Sequence, residues 1–359
     1  MSKYGIPIPE PVTKSLESTK VDYVRLGSSG LRISWPILGA MALGSTKVAA
    51  WALDEEPSLE LLKAAYDRGI NTWDTANTYN SGLGEEIIGK AIRKFNIPRN
   101  KVIIMTKCFY PVGEEPAVIG NAYPNVLEKS KDYVNQGGLS RSAILAAVEG
   151  SLKRLGTTYI DVLQIHRYDH ETPPEETMKV LHDLIEAGKV RYIGASSMWA
   201  TQFAQLQFTA EKNGWTKFVS MQNYYNLCYR EEEREMIRFC KETGVGIIPW
   251  SPLYGGRLAR PAGWDKSARS KRPSAHHPDT TGDDAEIIRR VQELAEKKGW
   301  EMIHVALAWH KSKGSVPIVG MNSVDKIKEA CEMRDKSLTT DEVEFLEESY
   351  VPRKVVGHD

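Results

Sequence analysis

The sequence is short of the features that mark several large classes of protein. Its four cysteines, Cys108, Cys228, Cys240 and Cys331, are scattered through 359 residues and form no C-x-x-C pair. That spacing excludes a zinc ribbon and favours reduced thiols in an intracellular protein over a disulfide framework. No apolar run approaches the roughly 18 residues that cross a bilayer, and the N-terminal stretch MSKYGIPIPEPVTKSLESTK has no apolar core of the kind a secretory signal needs. Neither sign of charge is in excess, with 47 basic and 47 acidic residues, so no general attraction to nucleic acid or to an acidic membrane is expected. There is no H-x-H pair, and His276-His277 stand far from any strand end. A metal-dependent barrel hydrolase, which clusters such ligands at strand ends, therefore has no support, and no metal site is expected. Repeats and low-complexity tracts are also missing. What remains as the default reading is a soluble cytoplasmic protein, with 41% hydrophobic residues to fill its core.

What is present is a regular alternation. Residues 1–20, polar and Pro-rich, read as a loose arm, and 21–359 as one domain. DYVRLGSSGLRIS reads as a hairpin around a Gly-containing turn. After it, short apolar runs near Ile37–Ala40, Asn71–Asp74, Val102–Thr106, Asp161–Ile165, Arg191–Ala195, Val219–Gln222, Gly246–Pro249 and Val316–Val319 read as strands. Amphipathic stretches between and after them read as helices, among them Arg230–Thr243 as a single helix, with two extra helices at Met302–Ser312 and Asp341–Glu348. Strands separated by helical crossovers make a parallel sheet. Eight such units in one chain of this length predict a (β/α)8 TIM barrel with an N-terminal β-hairpin and two extra helices. An open dinucleotide-binding sheet is the alternative, but its G-x-G-x-x-G turn is missing: Gly82-Leu-Gly84 starts one and Ile87 ends it.

Two connections, from Cys108 to about Gly138 and from Tyr254 to about Asp283, are too long for plain linkers. Both leave C-terminal strand ends, the active-site face of a barrel. The second carries Arg257, Arg260, Lys266, Arg269, Lys271, Arg272, His276 and His277. It reads either as a solvated basic loop or as a flap over an anionic cofactor.

Three apolar runs end on ionisable residues: INTWD on Asp74, VIIMTK on Lys107 and IDVLQIH on His166. A strand-end Asp is commonly a helix cap, a strand-end Lys is commonly exposed, and a lone His is commonly structural. Their recurrence at equivalent strand ends is what singles them out, because those ends converge on one mouth. Tyr79 follows in DTANTYNSGLGEE. Carbonyl reduction requires a hydride at carbon and a proton at oxygen. A phenol, with an ordinary pKa near 10, is a weak acid at neutral pH, and a neighbouring ammonium makes it a better one. Lys107 is placed to supply that ammonium, Asp74 to hold it charged, and His166 to donate a hydrogen bond to the carbonyl.

The segments GINTWDTANTYNSGLGEEIIGKAI and KRLGTTYIDVLQIHR resemble the two signatures of the aldo-keto reductase superfamily, and the likeness runs from the hairpin at Tyr23 to near Glu348. TKCFYPVGEEP, SMQNYYNLCYREEEREMI and PWSPLYGGRLARP are similar to a fungal group around versiconal hemiacetal acetate reductase. The resemblance implies NADP(H) as cofactor, bound without a Rossmann turn, and Tyr79 as general acid with Asp74, Lys107 and His166 in support. It implies Ser196 and Gln222 at the nicotinamide carboxamide and Trp250 stacked on the ring, with Ser251 and Leu253 beside it. Gly320, Ser323, Lys326 and Glu329 fall at the adenosine end. Ser197 stands where the family often has Asn, Lys326 where Arg is frequent, and Ala330 where Asn is usual. Lys offers a point charge in place of a bidentate fork, so NADPH is expected to be preferred over NADH with less discrimination than Arg would give. Trp73, Phe109, Tyr110, Tyr123 and Trp199 are candidates for an aromatic-lined substrate pocket. The implied substrate is a bulky ketone, aldehyde or hemiacetal, with a polyketide or terpenoid metabolite suggested by the resemblance. A competing expectation stays open: barrels of this superfamily also serve as channel-associated, cofactor-binding regulatory subunits with little turnover.

Overall fold

A computed structural model describes residues 6–115, 118–261 and 282–358. Ten strands are present among them: β1 Asp22–Arg25, β2 Arg32–Trp35, β3 Ile37–Gly39, β4 Thr72–Asp74, β5 Ile103–Cys108, β6 Ile160–Ile165, β7 Val190–Ser196, β8 Ser220–Gln222, β9 Gly246–Ile247 and β10 Ile318–Gly320. Twelve helices accompany them: α1 Glu10–Ser18, α2 Glu55–Asp67, α3 Leu83–Lys94, α4 Pro124–Leu127, α5 Arg141–Leu155, α6 Pro174–Glu186, α7 Ala200–Lys212, α8 Met236–Thr243, α9 Gly282–Lys298, α10 Met302–Ser312, α11 Val324–Cys331 and α12 Thr340–Glu347.

All eight expected barrel strands form, in the spatial order β10-β3-β4-β5-β6-β7-β8-β9, every pair parallel. Hydrogen bonds from Val316 N to Ile247 O and from Ile318 N to Pro249 O, both 2.9 Å, join the two ends and close the barrel. The strands lie deep in the fold: β6 is buried at all six positions, as expected of parallel strands covered on both faces. The helices turn an apolar stripe inward, as α6 does with Met178, Val180, Leu181 and Leu184.

The hairpin β1–β2 plugs the N-terminal end of the barrel. Gly27, at φ +58°, lets its turn approach so closely that a Cβ there would stand 2.4 Å from Gly244 O, and Ser28 N donates to that same oxygen. Ser34 Oγ and Thr72 Oγ1 each accept from the other's backbone N–H at the start of β4. With that end sealed, the C-terminal strand ends form the open mouth. The expected extra helices appear as α10 and α12.

Three local expectations change. The stretch read as a loose arm contains α1, none of whose residues is buried. Arg230–Thr243 is a short 3-10 turn, Glu231–Glu233, followed by α8. The break occurs because Glu231 is occupied elsewhere, accepting from Tyr350, Arg353 and Arg234. Trp73 is not in a pocket: it is fully buried, and its indole N–H donates to Ile70 O at 2.9 Å. Alternation along β4 sends Trp73 and Asp74 to opposite faces of the sheet, so the aspartate cannot face the mouth without the tryptophan facing the helices.

Candidate active site

Asp74 ends β4, Lys107 is the penultimate residue of β5, and His166 directly follows β6. The parallel register brings these neighbouring strand ends together. Lys107 Nζ donates to Asp74 Oδ2 at 2.5 Å and to Thr75 O at 2.8 Å. Neither side chain of the pair reaches solvent to any useful extent, at 0% and 3% exposure. Burial opposes the charge on Lys107, but the carboxylate of Asp74 and the neighbouring Tyr79 outweigh it, and the lysine pKa lies above its ordinary value. Lys107 is therefore a fixed cation at neutral pH.

Tyr79 opens a 3-10 turn whose next two residues, Asn80 and Ser81, have φ of 49° and 53°. The turn is tied down on two sides. Asn80 Nδ2 donates to Leu43 O at 3.0 Å, and Ser81 Oγ donates to Val118 O at 3.1 Å. The half-buried tyrosine ring is held with its centroid 5.1 Å from Lys107 Nζ and 5.9 Å from the His166 ring, edge to face. Burial, with the charges of Lys107 and Arg167, holds the His166 pKa well below its ordinary value, so the imidazole is neutral. Its Nδ1 is buried and finds no hydrogen-bond partner among the described residues. Tyr110 packs edge-on against the same ring at 5.3 Å, and Asn77 Nδ2 fixes the Tyr110 carbonyl at 2.9 Å.

The other expected residues take up two neighbouring positions. Ser196 ends β7 and Gln222 ends β8, both buried. Ser196 Oγ donates to Gln222 O at 2.8 Å. Trp250, Ser251 and Leu253 follow β9, with Ser251 in the left-handed region at φ 53°. The Trp250 ring stacks on Tyr224 at 4.5 Å, and its N–H donates to Ser197 Oγ at 3.0 Å. Further round the mouth, Gly320 ends β10 and is exposed. Ser323 caps α11 by accepting from Lys326 N, and Lys326 Nζ donates to Asn322 Oδ1 at 2.6 Å. Glu329 is half-buried on α11 and Ala330 is buried beside it. Tyr123 and Trp199 are 54% and 42% exposed, on the surface rather than in the core. The long connection after β5 is pinched at its neck by Gly138 N donating to Phe109 O at 2.8 Å. In the basic connection, Arg257 and Arg260 are half-buried. Lys266, Arg269, Lys271, Arg272, His276 and His277 lie outside the described residues.

One central residue escaped the sequence reading. Gln164, two positions before His166 on β6, is fully buried and donates from Nε2 to Asp74 Oδ1 at 2.9 Å. Gln222 Nε2 donates to the same carboxylate oxygen and to Gln164 Oε1, both at 2.9 Å. The available signal was a polar residue in the apolar second half of a strand, which must find partners when buried.

The sequence pattern of the aldo/keto reductase family matches residues 37–351. The chain is 56% identical to an aldo-keto reductase of Metarhizium robertsii, dtxS3, over 98% of this chain and 97% of the relative. It is 50% identical to versiconal hemiacetal acetate reductase of Aspergillus parasiticus over 93% of this chain and 98% of the relative. A putative aryl-alcohol dehydrogenase of Saccharomyces cerevisiae, AAD16, is 46% identical over 93% and 98% of the two chains. With a closed eight-stranded parallel barrel, a plugged base and a match over most of its length, the chain belongs to the aldo/keto reductase family.

Proposed function

We propose that this protein reduces the carbonyl group of a small, largely apolar metabolite to an alcohol with NADPH, Tyr79 acting as the general acid. The observation that carries the reading is the buried Lys107 cation, fixed by Asp74 and facing the Tyr79 ring from 5.1 Å. Reduction leaves negative charge on the carbonyl oxygen, which needs a proton. Tyr79 is a hydroxyl at the mouth able to give one, and Lys107 stabilises the charge left on the phenol oxygen as the proton departs. Asp74 keeps Lys107 charged and aimed. His166, being neutral, has one ring N–H. Carrying it on Nε2 avoids an orphaned N–H at the buried Nδ1 and gives a donor to hold the substrate oxygen.

Members of this family use NAD(P)H, and the residues present fit a nicotinamide dinucleotide. Gln222 has both amide protons committed to Asp74 and Gln164, leaving its carbonyl oxygen to accept from a carboxamide, with Ser196 alongside. Trp250 offers a flat, half-buried ring next to them. Gly320 permits close backbone approach, and the Ser323-capped N-terminus of α11 together with Lys326 suits a phosphate. When bound, the reduced nicotinamide supplies the hydride. Tyr110, packed on His166, supports an apolar and aromatic lining for the substrate. The relatives named as reductases and dehydrogenases support the same chemistry.

A screen of aldehydes, ketones and hemiacetals, followed by loss of NADPH absorbance, tests the proposal. Substrate-dependent oxidation that disappears in Tyr79→Phe is expected. Tight NADPH binding with no turnover across the panel, or full turnover in Tyr79→Phe, would overturn it.

A further inference from the structure

The segment after β8, NYYNLCYREEE, has no part in the chemistry above, yet it is among the most enclosed stretches of the chain. Two asparagines in it reach the residues on either side of the Trp250 ring. Asn223 Oδ1 accepts from Ser197 N at 3.0 Å, and Asn226 Nδ2 donates to Ser251 O at 3.1 Å. Both of those serines have left-handed backbones, with φ of 46° and 53°, a conformation that non-glycine residues hold only when their surroundings impose it. Ser197 Oγ in turn accepts the indole N–H of Trp250. Behind the indole, Tyr224 and then Tyr229 continue the stack at 4.5 Å each.

The same segment receives the C-terminal residues. Tyr229 Oη donates to Val356 O and accepts from Val356 N. Glu231 accepts from Arg353 N at 2.7 Å. Glu232 accepts from Asn223 Nδ2 through Oε2, while His358 Nε2 lies 3.0 Å from its Oε1. The His358 and Glu232 side chains are only 6% and 4% exposed. A continuous hydrogen-bonded chain therefore runs from His358 through Glu232, Asn223 and Ser197 to Trp250.

We propose that Asn223 and His358 are positioning residues that fix the Trp250 indole for the nicotinamide end of the cofactor, so that the C-terminal residues set cofactor affinity without touching the reacting atoms. The inference rests on the cofactor site proposed above. Each link converts a strained or free group into a held one. Losing one lets Ser197 relax and moves the hydroxyl that accepts from the indole.

The test compares Asn223→Ala, His358→Ala and His358→Gln with the parent by KM for NADPH, kcat and Tm. Loss of both Asn223 side-chain hydrogen bonds predicts an NADPH KM raised about tenfold in Asn223→Ala, and loss of the single His358 contact with Glu232 one raised about threefold in His358→Ala. In both, kcat should change much less than KM. His358→Gln, which keeps a donor for Glu232, should recover most of the parental KM. If Asn223→Ala does not fold, the His358 pair decides alone. An unchanged NADPH KM in the folded variants, with only Tm lowered, would reduce these residues to structural ones and overturn the proposal. If that occurs while Tyr79→Phe abolishes turnover, this inference fails and the reductase reading stands. A parent that neither binds nor oxidises NADPH defeats both.

Discussion

Gln164 and Asp74, ninety residues apart, meet at 2.9 Å beneath the mouth of the barrel, where the Gln164 amide donates to the carboxylate oxygen that Lys107 leaves free. Gln222 donates to that same oxygen, so one carboxylate serves three buried donors. Removing the acceptor takes one bond from each of them and leaves the Lys107 charge with Thr75 O alone among these partners. Asp74→Ala is expected to cost about 3–5 kcal/mol of stability, the range for breaking a buried pair from one side. Lys107→Met should cost less, because both glutamine amides still donate to one oxygen of Asp74. Both variants should lose turnover. Urea unfolding at neutral pH gives the comparison, and equal losses would show that the glutamines do not support the aspartate.

Lys326 sits in the first turn of α11, beside the Ser323 cap. Its charge distinguishes NADPH from NADH only if the extra phosphate reaches it. Lys326→Ala is expected to lower the NADPH/NADH ratio of kcat/KM roughly tenfold, and Lys326→Arg to raise it, since a guanidinium grips a phosphate with two donors. Steady-state kinetics with both nucleotides checks this. Equal use of the two by the parent protein would rule it out.

The barrel was legible because short, mostly apolar runs alternate with amphipathic helical stretches, and Asp74, Lys107 and His166 stood out because ionisable groups recur at the ends of three successive runs. Gln164 was not, since a single amide inside an apolar strand has no periodicity and its partners lie on other strands. The Asn223–Glu232–His358 chain was hidden for the same reason: its last link spans 126 positions. Trp73 was misread because an aromatic beside a candidate catalytic residue looks like pocket lining until strand alternation turns it the other way.

All four cysteines are buried. Burial pushes the thiols of Cys108 and Cys240 up to about 12 and that of Cys331 up to about 11. Burial and Asp284 together raise Cys228 well above the ordinary range. The reactive species is the thiolate, so the native protein should resist alkylation even though Cys108 adjoins Lys107. A thiol-reactive chromophore is expected to titrate no fast thiol in the native protein and four after denaturation. A fast native thiol whose modification abolishes activity would contradict this.

Three buried histidines, His166, His304 and His310, should make the fold sensitive to mild acid, and burial holds His304 below its ordinary value as it does the other two. Burial lowers His310 to about 3, against an ordinary 6.5, and lowers His166 well below that value. As pH falls through 6.5, the unfolded chain binds protons at these positions more readily than the folded chain does. Stability therefore falls with decreasing pH, by up to about 1.4 kcal/mol per pH unit for each group. The window between pH 6.5 and about 5 gives the histidines the most weight, because it lies above the ordinary carboxylate range. His310 bridges Ser315 Oγ at 3.0 Å and Pro252 O at 3.4 Å, contacts that a neutral amide can partly replace. In His310→Gln, overall stability should fall, but its dependence on pH across this window should become shallower by about one proton's worth. Urea midpoints measured at several pH values give the slope. If the slope of the variant equals that of the parent, His310 is not a source of the acid sensitivity.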